Sequence, residues 1–287
     1  MAIVASGLTH TYMPGTPFQA IAIDRLDFTI QDGEMVGLIG HTGSGKSTLV
    51  QHLNGLLRPT AGTLTVQGIP IEPKGGDLRE LRRRVGLVFQ YPEHQLFEES
   101  VVKDVCFGPK NLGLSEEEAI ARARQALRQV GLELEEVGER SPFELSGGQR
   151  RRVAMAGVLA MQPEVLILDE PAAGLDPASR REVMTLIRDI HDQQHCTVIM
   201  VSHSMEDVAA NATRVMVMHE GRIVMDGAPK DVYARGEDLR AIGLDVPVVS
   251  SLADALRQRG LDVPKEVLSV ADMETFLCRQ WGVKPHD

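Results

Sequence analysis

Apolar residues fall along this chain in two rhythms. In Met35 to Ile39, Val85 to Phe89, Val165 to Leu168, Thr197 to Val201 and Val215 to Met218, most or all positions are apolar. Short runs of this kind read as strands, several of them buried on both faces of a sheet. Longer stretches at helical spacing separate them, so the expected fold is α/β with a mostly parallel core sheet. The residues up to about Ile30 alternate more openly and carry Pro14, Gly15 and Pro17 in a turn. They read as an antiparallel β subdomain beside the main sheet.

Between about Ser100 and Met161 the strand rhythm stops. Ser115 with Glu118 three residues on forms a capping box, and Ala119, Ile120, Ala123, Leu127 and Val130 follow at helical spacing until Gly131. A helical insert is expected over about 100–161. Beyond Gly236 two short helices are expected, Ser251 to Arg259 and Ser269 to Gln280, each opening at a serine with an acid three residues on. The expected division is a main domain over 1–235 and a small helical appendage over 236–287.

Composition narrows the function classes. Of 287 residues, 40 are acidic and 30 basic, a formal charge of −10, which lowers the expectation of a nucleic-acid partner because phosphate binding needs a basic footprint. Three scattered cysteines fit a reducing compartment and give no disulfide framework or zinc spacing. The first residues lack a signal-peptide pattern, and no apolar run approaches the roughly 20 residues that span a bilayer. A soluble chain is expected, with any membrane role exercised through a partner.

The sharpest chemical signal is Gly40-His41-Thr42-Gly43-Ser44-Gly45-Lys46-Ser47-Thr48, between a predicted strand and a predicted helix. This is the phosphate-binding loop pattern: glycines let backbone N–H groups turn around phosphates at a helix N-terminus. Lys46 would hold the β- and γ-phosphates of ATP, and the Ser47 hydroxyl would ligate Mg²⁺. Val165 to Leu168 followed by Asp169 and Glu170 supplies the second half of such a site. Asp169 suits the Mg²⁺ shell, and Glu170 is placed to polarise an attacking water as general base. The arginine-rich runs Arg79 to Arg84 and Arg150 to Arg152 read as solvated faces or helix-end charges.

Leu145-Ser146-Gly147-Gly148-Gln149, lying between the phosphate loop and the acidic strand, resembles the signature of ATP-binding-cassette ATPases. The ordered series around it strengthens the resemblance over about Ala2 to Arg235. Gln90 resembles the family's loop glutamine, implying a catalytic and Mg²⁺-contacting residue that links nucleotide to the transport partner. Asp176 in Ala173-Gly174-Leu175-Asp176 resembles the dimer-loop aspartate, His203 the switch histidine, and Tyr12 the adenine-stacking aromatic. The resemblance implies a head-to-tail dimer in which Ser146, Gly147, Gly148 and Gln149 complete the partner's ATP site.

Gln90 to Phe97 with Phe107-Gly108-Pro109, the opening Tyr12 to Phe18 and the Gly40-His41-Thr42 start resemble the second ATPase type of energy-coupling factor importers. That likeness implies a second ATPase subunit, alike or different, a membrane coupling protein and a membrane protein that captures a vitamin or transition-metal ion. It places the chain at the cytoplasmic face of the membrane and makes the appendage a dimerisation element. Glu98 and Glu99 have two readings: capping acids of the helix that follows, or one wall of a groove for a partner helix presenting an arginine. The rival functions are a soluble cassette ATPase acting on nucleic acid or ribosomes, an ATPase of another importer class, and a non-catalytic partner.

Overall fold

The computed structural model describes residues 1–282, so the end of the 236–287 appendage lies outside the described residues. In chain order the first elements are β1 (Ile3–Tyr12), β2 (Ala20–Ile30), β3 (Met35–Ile39), α1 (Lys46–Leu53), β4 (Ala61–Val66) and β5 (Ile69–Pro70). Next come α2 (Arg79–Arg84), β6 (Val85–Val88), α3 (Val101–Asn111), α4 (Glu116–Gln129), α5 (Leu134–Val137) and α6 (Gly147–Leu159). Then follow β7 (Val165–Asp169), α7 (Pro177–Gln194), β8 (Thr197–Val201), α8 (Met205–Asn211), β9 (Arg214–His219) and β10 (Arg222–Gly227). The last described elements are α9 (Pro229–Tyr233), α10 (Gly236–Ala241), α11 (Val248–Gln258) and α12 (Val270–Trp281).

Two sheets organise the molecule. A six-stranded sheet runs β10-β9-β3-β8-β7-β6, parallel except for the β9–β10 hairpin. An antiparallel sheet runs β2-β1-β4-β5. Strand alternation explains the continuous apolar runs. Leu166, Leu168, Val198 and Met200 enter a core shared with the helices of the insert and the sheet's outer face. Their neighbours Val165, Ile167, Ile199 and Val201 enter a second core under α1 and the antiparallel sheet. Both faces are covered, so a run that is apolar at every step is what the sheet needs.

The insert is helical throughout, from α3 to α6. Ser115 and Glu118 cap α4 reciprocally, as do Ser269 and Asp272 for α12. The first C-terminal helix differs from expectation: α11 begins at Val248 after Pro247, so Ser251 lies inside it rather than capping it. Pro247 occupies the N-cap itself and makes no side-chain capping bond. The main core also continues past Arg235, through Leu239, Leu244 and Val246, before a separate cluster of Val249, Ala253, Val263, Val267 and Met273 begins. Gly37 allows α8 to press on β3, since a Cβ there would lie 2.4 Å from Val208. No described helix is long and apolar enough to cross a membrane.

Candidate functional site

β3, β8 and β7 are adjacent and parallel, so their carboxyl ends open on the same side of the sheet, where ligands of α/β proteins bind. The 40–48 loop leaves β3, Asp169 and Glu170 end β7, and His203 follows β8. Gly45 is the N-cap of α1 with φ +103, and a Cβ there would stand 2.5 Å from the Ala22 carbonyl of the antiparallel sheet. Only glycine fits that close approach. The Lys46 ammonium donates to the carbonyls of Gly40 at 2.5 Å and His41 at 2.9 Å. Ser44 is buried, while Thr42, Gly43 and Ser47 face solvent at the mouth of the loop.

The electrostatics follow from burial and crowding. Burial holds the Lys46 ammonium below its ordinary range, opposed by the charges of Glu170 and Asp169. Burial, and then the neighbouring Glu170, push the Asp169 carboxyl up, while Lys46 pulls it down. Glu170 has φ +53, a left-handed backbone that strains a side-chain-bearing residue, and its N–H donates to Val201 of β8 at 3.0 Å. Its Oε2 lies 2.7 Å from Nδ1 of His203. Glu170 is largely shielded, whereas His203 is 75% exposed, so the histidine reaches out from the carboxylate it holds.

Ser47 and Asp169 offer a hydroxyl and a carboxylate, the hard oxygen donors Mg²⁺ takes alongside its waters. Two crowded carboxylates with Asp169 already pushed up are a place where a divalent cation relieves repulsion, so the residues fit that ion.

Tyr12 stands beside α1, its hydroxyl 3.3 Å from Thr48 Oγ1 and its ring edge-on to His10 at 4.6 Å. Gln90 is exposed just past β6, at the same end of the sheet. Ser146 caps α6, accepting from Gln149 N–H, while Gln149 Oε1 accepts from Ser146 N–H. Gly147 and Gly148 are exposed, and a Cβ on either would meet nothing within 4 Å. Among the described residues the 146–149 segment shares no hydrogen bond with Lys46, Asp169, Glu170 or His203. Asp176 caps α7, accepting from the N–H groups of Ala178 and Ser179 and from the Ser179 hydroxyl, and these bonds hold its carboxyl down.

Around 91–107 the structure revises the reading of the acids. Asp104, not Glu98 or Glu99, accepts the N–H groups of Phe97 and Glu98, both at 2.9 Å. Glu99 pairs with Lys103 at 2.7 Å, on the surface. Leu96 and Val101 are buried, so the apolar wall beside the acids is Phe97 and Phe107, exposed and packed edge-to-face at 4.9 Å.

Sequence reasoning also misplaced one charge. Arg151 is 3% exposed, against the expectation of a solvated run over Arg150 to Arg152; it pairs with Glu93 at 3.3 Å and donates twice to the Ala173 carbonyl. A second arginine, Arg180, only half-buried, holds the more shielded Asp207 through Nε at 3.0 and 2.9 Å and steadies the turn after His203. Neither has a spacing signal, because both partners are distant in sequence.

Residues 23–173 match the ABC transporter family. The chain is 53% identical over 284 residues to the energy-coupling factor transporter ATP-binding protein EcfA2 of Clostridium tetani, covering 99% of each chain. It is 55% identical over 270 residues to EcfA2 of Symbiobacterium thermophilum, covering 94% of this chain and 93% of that one. Among solved structures it resembles cbiO1 of Clostridium perfringens, described as part of the ABC transporter complex cbiONQ. The TM-score is 0.74 at 38% identity, covering 88% of this chain and 98% of the other. It also resembles a dimeric ATP-binding cassette in a post-hydrolysis state bound to ADP and phosphate. There the TM-score is 0.69 at 28% identity, covering 79% and 98%.

Proposed function

The chain belongs to the ABC transporter family, among its energy-coupling factor ATP-binding proteins, and on that basis we propose how its residues divide the work of an importer ATPase. It binds and hydrolyses ATP as the ATP-binding subunit of an energy-coupling factor importer. Backbone N–H groups of the 40–48 loop cradle the phosphates at the start of α1, with Lys46 on the β- and γ-phosphates. Tyr12 stacks on the adenine. Ser47, Asp169 and Gln90 would hold Mg²⁺, which neutralises phosphate charge when bound.

Glu170 accepts a proton from the attacking water, and His203 positions that carboxylate and contacts the γ-phosphate. The single observation that carries this division is the 2.7 Å Glu170–His203 contact beside the shielded Asp169 and Lys46. Ser146, Gly147, Gly148 and Gln149 form a second phosphate-facing helix start, which serves the site of a partner ATPase in a head-to-tail dimer, with Asp176 in the dimer loop. Phe97, Phe107, Glu98 and Glu99 receive a helix of a membrane coupling protein, which holds the chain at the cytoplasmic face. A separate membrane protein captures the cargo, a vitamin or transition-metal ion. Residues 1–235 carry the ATPase, and the appendage over 236–287, with its own small core, adds dimer contacts.

Lys46→Ala tests the phosphate loop. ATP affinity of the purified subunit, measured by titration, should fall at least about tenfold through loss of a charge-assisted contact. Unaltered affinity would remove Lys46 from the phosphates and the proposal with it.

A further inference from the structure

Arg151 lies in the second turn of α6 and is 3% exposed. A guanidinium leaves water only where partners replace its hydration. Here both terminal nitrogens donate to the Ala173 carbonyl at 3.1 Å each, while Nε lies 3.3 Å from Glu93 Oε2 as a charge contact in which neither atom makes a hydrogen bond. Glu93 belongs to the 3-10 turn Pro92–Gln95, directly after Gln90. Ala173 stands between Glu170, whose carbonyl accepts its N–H at 3.1 Å, and the 174–176 loop. The two loops also touch without the arginine. Gly174, at φ +73, lies against the Tyr91 side chain, where a Cβ would be 3.4 Å from Cε1.

One side chain on the signature helix thus grips two loops at once, the one after Gln90 and the one after Glu170. We propose that Arg151 is a positioning residue that makes these three segments move as one body, so that a load on the 91–98 surface reaches Glu170 and the dimer loop. This rests on reading that surface as the docking site of the membrane coupling protein. For stability alone an apolar pair would fill the same space, and buried ion pairs are often replaced that way without loss. The forked donation to Ala173 adds fixed direction, and the Glu93 carboxylate is drawn to the same guanidinium by charge in a site shielded from water.

The test uses the full chain co-expressed with its second ATPase and membrane subunits, and compares Arg151→Lys, Glu93→Gln and the double variant Glu93→Leu, Arg151→Met. ATP turnover is followed at limiting and saturating ATP, with melting temperature alongside. Neither side chain is placed on the nucleotide, so KM for ATP should stay within about twofold while kcat falls at least about tenfold. Arg151→Lys keeps the charge but not the forked geometry, so its kcat should lie between wild type and the double variant. The apolar pair should melt near wild type, the relief of two buried charges offsetting the donors lost to the Ala173 carbonyl, and still be slow. Wild-type kcat in that stable double variant would overturn the proposal, as would kcat losses that track melting temperature across the set. Should the double variant fail to fold, the KM-against-kcat split of Arg151→Lys decides alone. A Glu170→Gln arm separates the two levels: if it abolishes turnover, the ATPase reading stands whatever Arg151 does.

Discussion

Glu170→Gln is the most informative single change because it removes one function and almost no structure. The amide keeps the shape of the carboxylate, and its oxygen can still accept from His203 Nδ1 across the present 2.7 Å contact. The left-handed backbone at φ +53 is no worse for glutamine than for glutamate. What is lost is the ability to take a proton from water. A positioned general base contributes about 10²–10⁴ in rate, or about 3–5 kcal/mol of barrier at 1.36 kcal/mol per tenfold. Turnover, followed as phosphate release, should therefore fall at least about 100-fold while ATP affinity holds.

Stability should change little. Glu170 is one of the two causes that raise the Asp169 carboxyl. A carboxyl raised on folding is penalised when ionised, so the native state carries that penalty at neutral pH and sheds it only as pH falls. Deleting the neighbouring charge relieves it but also removes one of the two charges that favour the buried Lys46 ammonium, so the melting temperature should stay within about 4 °C of wild type. With ATP it should elute as a persistent dimer, since closure needs the γ-phosphate and opening needs its loss. Turnover within about threefold of wild type would remove Glu170 as the base, and a larger drop in melting point would show that its charge also holds the fold through Lys46.

Glu98→Gln combined with Glu99→Gln should reduce co-purification of the membrane coupling protein severalfold while ATP affinity and melting temperature stay near wild type, because Asp104 supplies the bonds at the start of α3. An unchanged pull-down yield would defeat the groove. His52, fully buried beside His10 and bonded to the Thr48 carbonyl, is held by burial below its ordinary pKa. The unfolded chain then binds the extra proton, so this contribution is present above about pH 6.5 and is lost as pH falls, by at most about 1.4 kcal/mol per pH unit. Chemical denaturation at pH 7.5 and 5.5 should show a shallower pH slope for His52→Gln than for wild type, and equal slopes would refute it.

Much of this molecule is decided within a few residues of chain, and that part was legible. Strands buried on both faces announce themselves because every step must be apolar, whatever covers them. The caps at Ser115 and Ser269 form within four residues, so the pattern contains both partners. The phosphate loop and the acidic end of β7 are likewise local. Parallel pairing of β3, β8 and β7 then gathers Lys46, Asp169, Glu170 and His203 at one end, as an α/β reading of the strands implies.

What the pattern left open depends on which distant segment covers a surface. Arg151 sits in an arginine run that reads as solvated, and only the turn around Glu93 and the loop at Ala173 make it internal. Leu96 and Phe97 are adjacent and both apolar, yet one enters the core and the other faces out with Phe107. Leu239, Leu244 and Val246 join the main core beyond the boundary that the change of pattern and the family resemblance mark near Arg235. Local sequence states what a side chain can bury or bind. Whether it does so is settled by the long-range packing that brings a cover to it, and that free energy belongs to contacts made only in the folded chain.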